Sequence, residues 1–165
     1  MDINDLKRVN SLWVKIYPYL TSQIMESYQR DSGEVLELGP FSGGISLKLY
    51  RLHSKLNITI AHESPAVVKY LRQEISTSGL SEKIGVKKTN LNHLAFDDFQ
   101  FDLVVFRGAF FFLNKKKNLL QEIFRVLKDG GIAFIGGGFG KGTPKALIDE
   151  ITDESRELND RLGRQ

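Results

Sequence analysis

Apolar and polar positions follow two rhythms along this 165-residue chain. Between residues 5 and 29, Leu6, Val9, Leu12, Trp13, Ile16, Leu20, Ile24 and Met25 recur at three- and four-residue steps, the spacing of one helix face. Pro18 should break that segment into two helices, because proline lacks the N–H a helix interior needs. Short apolar runs then take over: Val35, Leu36 and Leu38 between Gly33 and Gly39, then Asn57–Ala61, Ile84–Lys88, Phe101–Phe106 and Ile132–Ile135. Each reads as a strand, and Phe101–Phe106 is nearly continuous, as a strand buried on both faces should be.

Helical spacing returns in every gap long enough to hold it. Ser42 is placed to cap a helix carrying Ile45, Leu47, Leu49 and Leu52. Ser64-Pro65 starts another through Val67, Val68, Leu71 and Ile75, and Gly79 follows its end. Asn114 is placed to cap a third, with Leu119, Leu120, Ile123, Phe124 and Leu127 on its apolar side and Asp129-Gly130-Gly131 as its terminator. A glycine-rich connection leads to Thr143-Pro144 and a last helix through Leu147, Ile148, Ile151 and Leu158 to about Arg161. Strands alternating with helices predict an α/β fold: a doubly wound, mainly parallel five-stranded sheet with right-handed crossovers.

Composition narrows the function. With 41% apolar residues the chain has material for one core and one domain, 1–165. A net charge of +3, with Lys115-Lys116-Lys117 as its tightest basic run, does not make a nucleic-acid stripe. The absence of cysteine removes disulfides, thiolate nucleophiles and cysteine-held metal, and fits a cytoplasmic protein. Three scattered histidines do not form a metal constellation, so no metal is expected. No apolar run approaches the ~20 residues that span a bilayer, and no secretory leader is visible, so no membrane partner is expected.

Candidate chemistry gathers at Glu37-Leu38-Gly39-Pro40-Phe41-Ser42-Gly43-Gly44, where a strand turns into a helix. Such turns hold ligands outside the carboxyl ends of parallel strands. A dinucleotide fingerprint would need glycine where Phe41 stands, and a phosphate-cradling P-loop would need lysine where Ile45 stands. A nucleoside without phosphate tolerates both substitutions better.

This stretch resembles the acidic-x-Gly-x-Gly-x-Gly motif of class I S-adenosylmethionine-dependent methyltransferases, with Phe41 at the middle glycine. Glu122-Ile123-Phe124-Arg125-Val126-Leu127-Lys128-Asp129-Gly130-Gly131 resembles the family's Glu-x-x-Arg-Val-Leu-Lys-Pro-Gly-Gly, with Asp129 at the proline. The resemblance covers residues 33 to 136 and implies a Rossmann-like sheet of order 3-2-1-4-5 lacking the usual carboxy-terminal β-hairpin. It also implies a helical cap over 1–30, a cofactor-binding core over 33–136 and a closing helix over 143–161. The implied cofactor is S-adenosyl-L-methionine, held by Glu37, Gly39, Pro40, Phe41 and Gly43.

Residue by residue, the resemblance extends the site. His62 stands at the family's ribose-binding acidic position, with Glu63 beside it as the favoured ligand or an ordinary turn carboxylate. Asn90 and Leu91 follow the third strand where the family contacts adenine, and Leu91 is expected on the purine face; Asn90 alone would also serve its own loop. Arg107 ends the fourth strand, to pair with the cofactor carboxylate, an anionic substrate or a rim carboxylate. Trp13 and Tyr17 either line the site or simply pack on the sheet, and Phe110-Phe111-Phe112 either wall a substrate or fill core. No catalytic base stands out, and methyl transfer can draw its rate from alignment.

The function expected is methyl transfer to a small-molecule acceptor. The Asn-Pro-Pro-aromatic signature of amino-directed nucleic-acid methyltransferases is absent, so no nucleic acid is expected. An uncovered fifth strand predicts a homodimer, with the last helix exchanged across the glycine run. Two rivals stand: a non-catalytic methyltransferase-like binding or dimerisation module, and a nicotinamide oxidoreductase, which Phe41 disfavours.

Overall fold

The computed structural model describes residues 3–39, 43–108 and 118–161. Helix α1 (Ile3–Trp13) passes through a 3-10 turn (Val14–Ile16) into α2 (Tyr17–Tyr28). Pro18 sits in the first turn of α2, where its missing N–H costs nothing, so the expected break falls just before it. The chain continues through β1 (Gly33–Leu38), α3 (Gly44–Leu52), β2 (Leu56–His62), α4 (Pro65–Thr77), β3 (Ile84–Lys88) and β4 (Phe101–Arg107). It closes with α5 (Leu119–Val126), β5 (Leu127–Gly136) and α6 (Lys145–Arg161).

The five strands form one parallel sheet in the order β3-β2-β1-β4-β5, and no hairpin strand is added to it among the described residues. Alternate residues of each central strand face opposite sides, and both sides are buried. Val35, Leu103 and Val105 join the core under α1 to α4, together with Ile45, Leu71 and Ile151. Leu36, Leu38, Val104 and Phe106 join a second core under α5 with Leu119, Ile123 and Val126. That two-sided burial explains why the strands read as apolar runs rather than as alternating patterns.

Element boundaries depart from the sequence reading in three places. Ser42 lies outside the described residues, and Gly43 takes the N-cap position of α3 without a side-chain bond. Asn114 also lies outside them; α5 begins at Leu119 behind Asn118. Asp129-Gly130-Gly131 does not end α5, which stops at Val126. Its last carbonyls are taken from across the fold, by Phe99 N–H onto Arg125 O (3.0 Å) and Gln100 N–H onto Val126 O (2.9 Å). Leu127 then pairs with Phe101, and the three residues are absorbed into a register shift at the head of β5. Ser64 caps α4 as expected, accepting from Val67 N–H.

After β5 the chain crosses α2, where Lys141 N–H donates to Gln23 Oε1 (2.7 Å). Helix α6 lies against α1 of its own chain, with Ile151 fully buried and Lys15 paired to Glu150 and Glu154. Within the single chain α6 thus has an apolar seat on α1, the same seat that an exchanged helix would take on a second copy.

Candidate functional site

The carboxyl ends of the strands converge on β1. Glu37 pairs in register with Ile60 of β2 and Val105 of β4, and is 1% exposed. Its Oε2 accepts from Ser46 N–H (2.9 Å) and from the Ser46 hydroxyl, tying β1 to the first turn of α3. Its Oε1 is buried and accepts no hydrogen bond from a described residue. Burial pushes this carboxyl up to about 7, against the Ser46 hydrogen bonds and the nearby Gly43 N–H that hold it down. A buried polar atom left without a partner is costly, and such atoms mark places where something else binds.

Gly39 and Gly43 bracket the turn with φ of +119° and +112°, a region that L side chains rarely enter. A Cβ on Gly39 would meet Arg107 O at 2.6 Å, so the turn rests directly on the end of β4. Tyr17 of α2 packs on Gly44 from the other side and donates to Asn10 Oδ1 (3.3 Å). Burial holds the Tyr17 hydroxyl well above the usual phenol range, the Glu37 carboxylate adding to it and Arg107 opposing it. Arg107 is half-buried, its guanidinium 5.8 Å from the centre of the Trp13 ring, with no carboxylate partner among the described residues. Burial pulls it below the usual guanidinium value. Trp13 in turn leans on Phe139, the ring centres 5.4 Å apart. Glu37, Gly39, Gly43, Tyr17, Trp13 and Arg107 thus share one end of the sheet.

The remaining candidates form a second wall. His62 ends β2, and its Nδ1 accepts from Ser64 N–H (2.9 Å), which leaves the proton of the neutral ring on Nε2. Burial lowers its pKa. Glu63 Oε1 accepts from Leu91 N–H (3.1 Å) and so joins the turns after β2 and β3. Asn90 Oδ1 accepts from Asn92 N–H (2.8 Å), closing its own loop. Leu91, expected against a purine face, is 7% exposed with its side chain in the core under α5. Pro40, Phe41 and Phe110-Phe111-Phe112 lie outside the described residues. Among the described residues no cluster of side chains could hold a metal ion.

Sequence reasoning missed the clamp that fixes this wall. Arg125 donates to Leu94 O (3.0 Å), Phe96 O (2.9 Å) and Asp98 Oδ1 (2.7 Å), while Glu122 Oε2 accepts from Leu94 N–H (2.7 Å) and pairs with Arg125 (2.7 Å). The Glu122 and Asp98 hydrogen bonds raise the Arg125 pKa, and Arg125 holds Glu122 below the usual carboxylate value. The Glu-x-x-Arg spacing was visible, but its partners lie in a loop about 30 residues away, which no periodicity reports. Arg125→Leu should destabilise the fold by about 2 kcal/mol, and Arg125→Lys should recover less than half, because a three-donor ammonium cannot serve the four groups that the planar guanidinium reaches. Urea unfolding of both variants checks this.

Comparison with known proteins follows the same geometry. Residues 36–135 match the family described as "Methyltransferase domain". A ubiquinone/menaquinone biosynthesis C-methyltransferase from Wigglesworthia glossinidia brevipalpis is 28% identical over 124 residues, 74% of this chain and 47% of that protein. The chain spans about half the length of the curated relatives it matches. A crystal structure described as a putative S-adenosyl-L-methionine-dependent methyltransferase from Methanococcus maripaludis superposes with a TM-score of 0.85. It is 28% identical, with 97% of this chain and 71% of that one covered. A SAM-dependent methyltransferase from Aquifex aeolicus shares the fold at 17% identity, with a TM-score of 0.66 over 94% of this chain and 88% of that one.

Proposed function

Since the chain belongs to the methyltransferase domain family, matched over residues 36–135, we propose that it is an enzyme that moves the methyl group of S-adenosylmethionine to a small-molecule acceptor. One observation carries the reading: the orphaned, buried Glu37 Oε1 beside a turn that only glycine can form at 39 and 43. That arrangement suits a ligand bringing its own N–H or cationic donor against a close backbone. S-adenosylmethionine is such a ligand, and when bound it supplies an electrophilic methyl on a sulfonium.

In this reading Glu37, Gly39 and Gly43, with Pro40 and Phe41 between them, hold the amino-acid tail. His62 and Glu63 hold the ribose, and Asn90 the base through its remaining amide donor, with Leu91 supporting the loop from the core. Arg107 orients a carboxylate or the acceptor. Residues 1–30 act as a cap, 33–136 as the cofactor-binding core and 143–161 as a closing helix. Transfer to carbon follows the named activity of the relatives. We place the protein in the cytoplasm; no described helix is long and apolar enough to cross a membrane. Self-association as a homodimer is proposed across β5, which among the described residues pairs only with β4 and follows α5 with its exposed Leu120 and Phe124.

Glu63 and Asn90 each spend an oxygen on backbone N–H groups, which favours a second reading, a binding module that kept the fold without transfer. Calorimetric titration separates the two. S-adenosylmethionine and S-adenosylhomocysteine should bind and NAD should not; absence of binding by either sulfur nucleoside would defeat the enzyme reading. Binding without turnover on any acceptor would favour the module.

A further inference from the structure

We propose that His62 holds the cofactor's ribose as a donor, giving its Nε2–H to one hydroxyl oxygen. A carboxylate at this position, which the resemblance implies, would accept protons from both hydroxyls; this chain reads only one of them. The proposal rests on the reading of the chain as a methyltransferase and sets how that reading's ribose contact is made.

Placement is the first argument. Glu37 stands opposite Ile60 in the register of β1 and β2, and His62 lies two residues further along β2. Residues two apart on a strand share a face, so His62 ends β2 on the Glu37 side of the sheet, about 6.6 Å beyond Ile60. A Cβ on Gly43 would stand 4.0 Å from Ile60 Cδ1, which makes the glycine turn and the end of β2 neighbours.

Hydrogen bonding is the second. Ser64 N–H fills the acceptor lone pair of Nδ1 (2.9 Å), and Ser64 is itself fixed as the N-cap of α4, its Oγ accepting from Val67 N–H (3.4 Å). The ring is thereby held in one tautomer, with its proton on Nε2. That N–H meets no acceptor among the described residues, although the side chain is half-buried. Burial also lowers the His62 pKa, so at neutral pH the ring carries this one proton. An imidazole so arranged has no lone pair left for a hydroxyl proton; it has one N–H, and one oxygen takes it. Glu63 Oε1 is engaged by Leu91 N–H (3.1 Å) and ties the turn after β2 to the turn after β3. An open donor on His62 and an open acceptor on Glu37 thus face one ligand from adjacent strands.

The full chain is titrated calorimetrically with S-adenosylhomocysteine and with its 2′-deoxy and 3′-deoxy analogues. One analogue should bind within about twofold of the parent and the other about tenfold more weakly, as the loss of one neutral hydrogen bond requires. His62→Asp still offers Ser64 N–H an acceptor two residues back, as an Asx turn does, and presents the hydroxyls with a carboxylate. That variant should bind both analogues at least about tenfold more weakly than the parent. Nitrogen-15 NMR of the three histidines, with His62 assigned by its loss in the variant, reads the tautomer without turnover. The Nε2–H form is expected in the free chain and in the complex, with its resonance moving on binding. Equal losses for the two analogues on wild type, loss with neither, an Nδ1–H form, or a His62 resonance unmoved by bound S-adenosylhomocysteine overturns the proposal. If a melting curve shows that His62→Asp does not fold, the wild-type titrations decide alone, and in a folded variant the wild-type pattern of analogue binding also overturns it. Failure of S-adenosylhomocysteine to bind instead overturns the methyltransferase reading, and the ribose role with it.

Discussion

Glu37 should contribute steadily less stability as the pH rises from about 4.5 to about 7, and Glu37→Gln should remove that contribution. Burial raises the Glu37 carboxyl from 4.5 to about 7, so across this window the folded state holds a proton that the unfolded state has released. A group of that kind contributes its full stability below 4.5, loses it through the folded value, and contributes no further change above it. At 1.36 kcal/mol per unit the total is about 3 kcal/mol. His62 acts in the opposite sense, since its lowered pKa makes the fold weaker as pH falls below 6.5. The informative quantity is therefore the difference between wild type and Glu37→Gln in urea midpoint, measured from about pH 5 to 8. That difference should grow in favour of the variant until about pH 7 and then level. A constant difference would show that Glu37 is ionised throughout. A cationic ligand beside Oε1 favours the carboxylate, so cofactor binding near neutrality should release a proton, visible as a dependence of binding heat on buffer.

Gly39→Ala should cost about 3 kcal/mol of stability and, where the variant still folds, at least about tenfold in cofactor affinity. Two effects add. The φ of +119° is strained for any residue with a Cβ, and that Cβ would stand 2.6 Å from Arg107 O and 3.0 Å from the Phe106 ring. Neither neighbour can yield, because Phe106 is fully buried and Arg107 belongs to the β4 backbone paired between β1 and β5. Gly79→Ala is the matched control: its φ is +70° but nothing lies within 4 Å of the added methyl, so only about 1 kcal/mol is expected. Equal midpoints for the two variants would mean that the turn does not bear on β4.

The central strands β1 and β4 were legible because both are buried on two faces and end at a glycine or a polar step. The strand order came from resemblance rather than from periodicity. The glycines singled out the Glu37–Gly43 turn, and the structure gives Gly39 and Gly43 positive φ, but the orphaned Oε1 was not legible, since it depends on Ser46 satisfying only the other oxygen. Nor could the end of α5 be read locally, because Phe99 and Gln100 cap it from a loop that precedes the helix by about 20 residues. Leu91, expected against a purine face, is 7% exposed with its side chain in the core under α5, a burial that no local pattern reports. Short-range patterns specify elements, whereas these features depend on which distant groups arrive as neighbours.

The pairing of β1 with β4 has a kinetic consequence. Glu34 N–H reaches Asp102 Oδ2 across 68 residues of chain, and Leu38 stands beside Phe106 at the same separation. Closing so long a loop costs entropy before any contact repays it, so substitutions at this junction should speed unfolding more than they slow refolding, as a chevron measurement would read. Gly39 meets Arg107 only after that closure. A nucleoside that needs the Gly39 turn should therefore slow unfolding without speeding refolding.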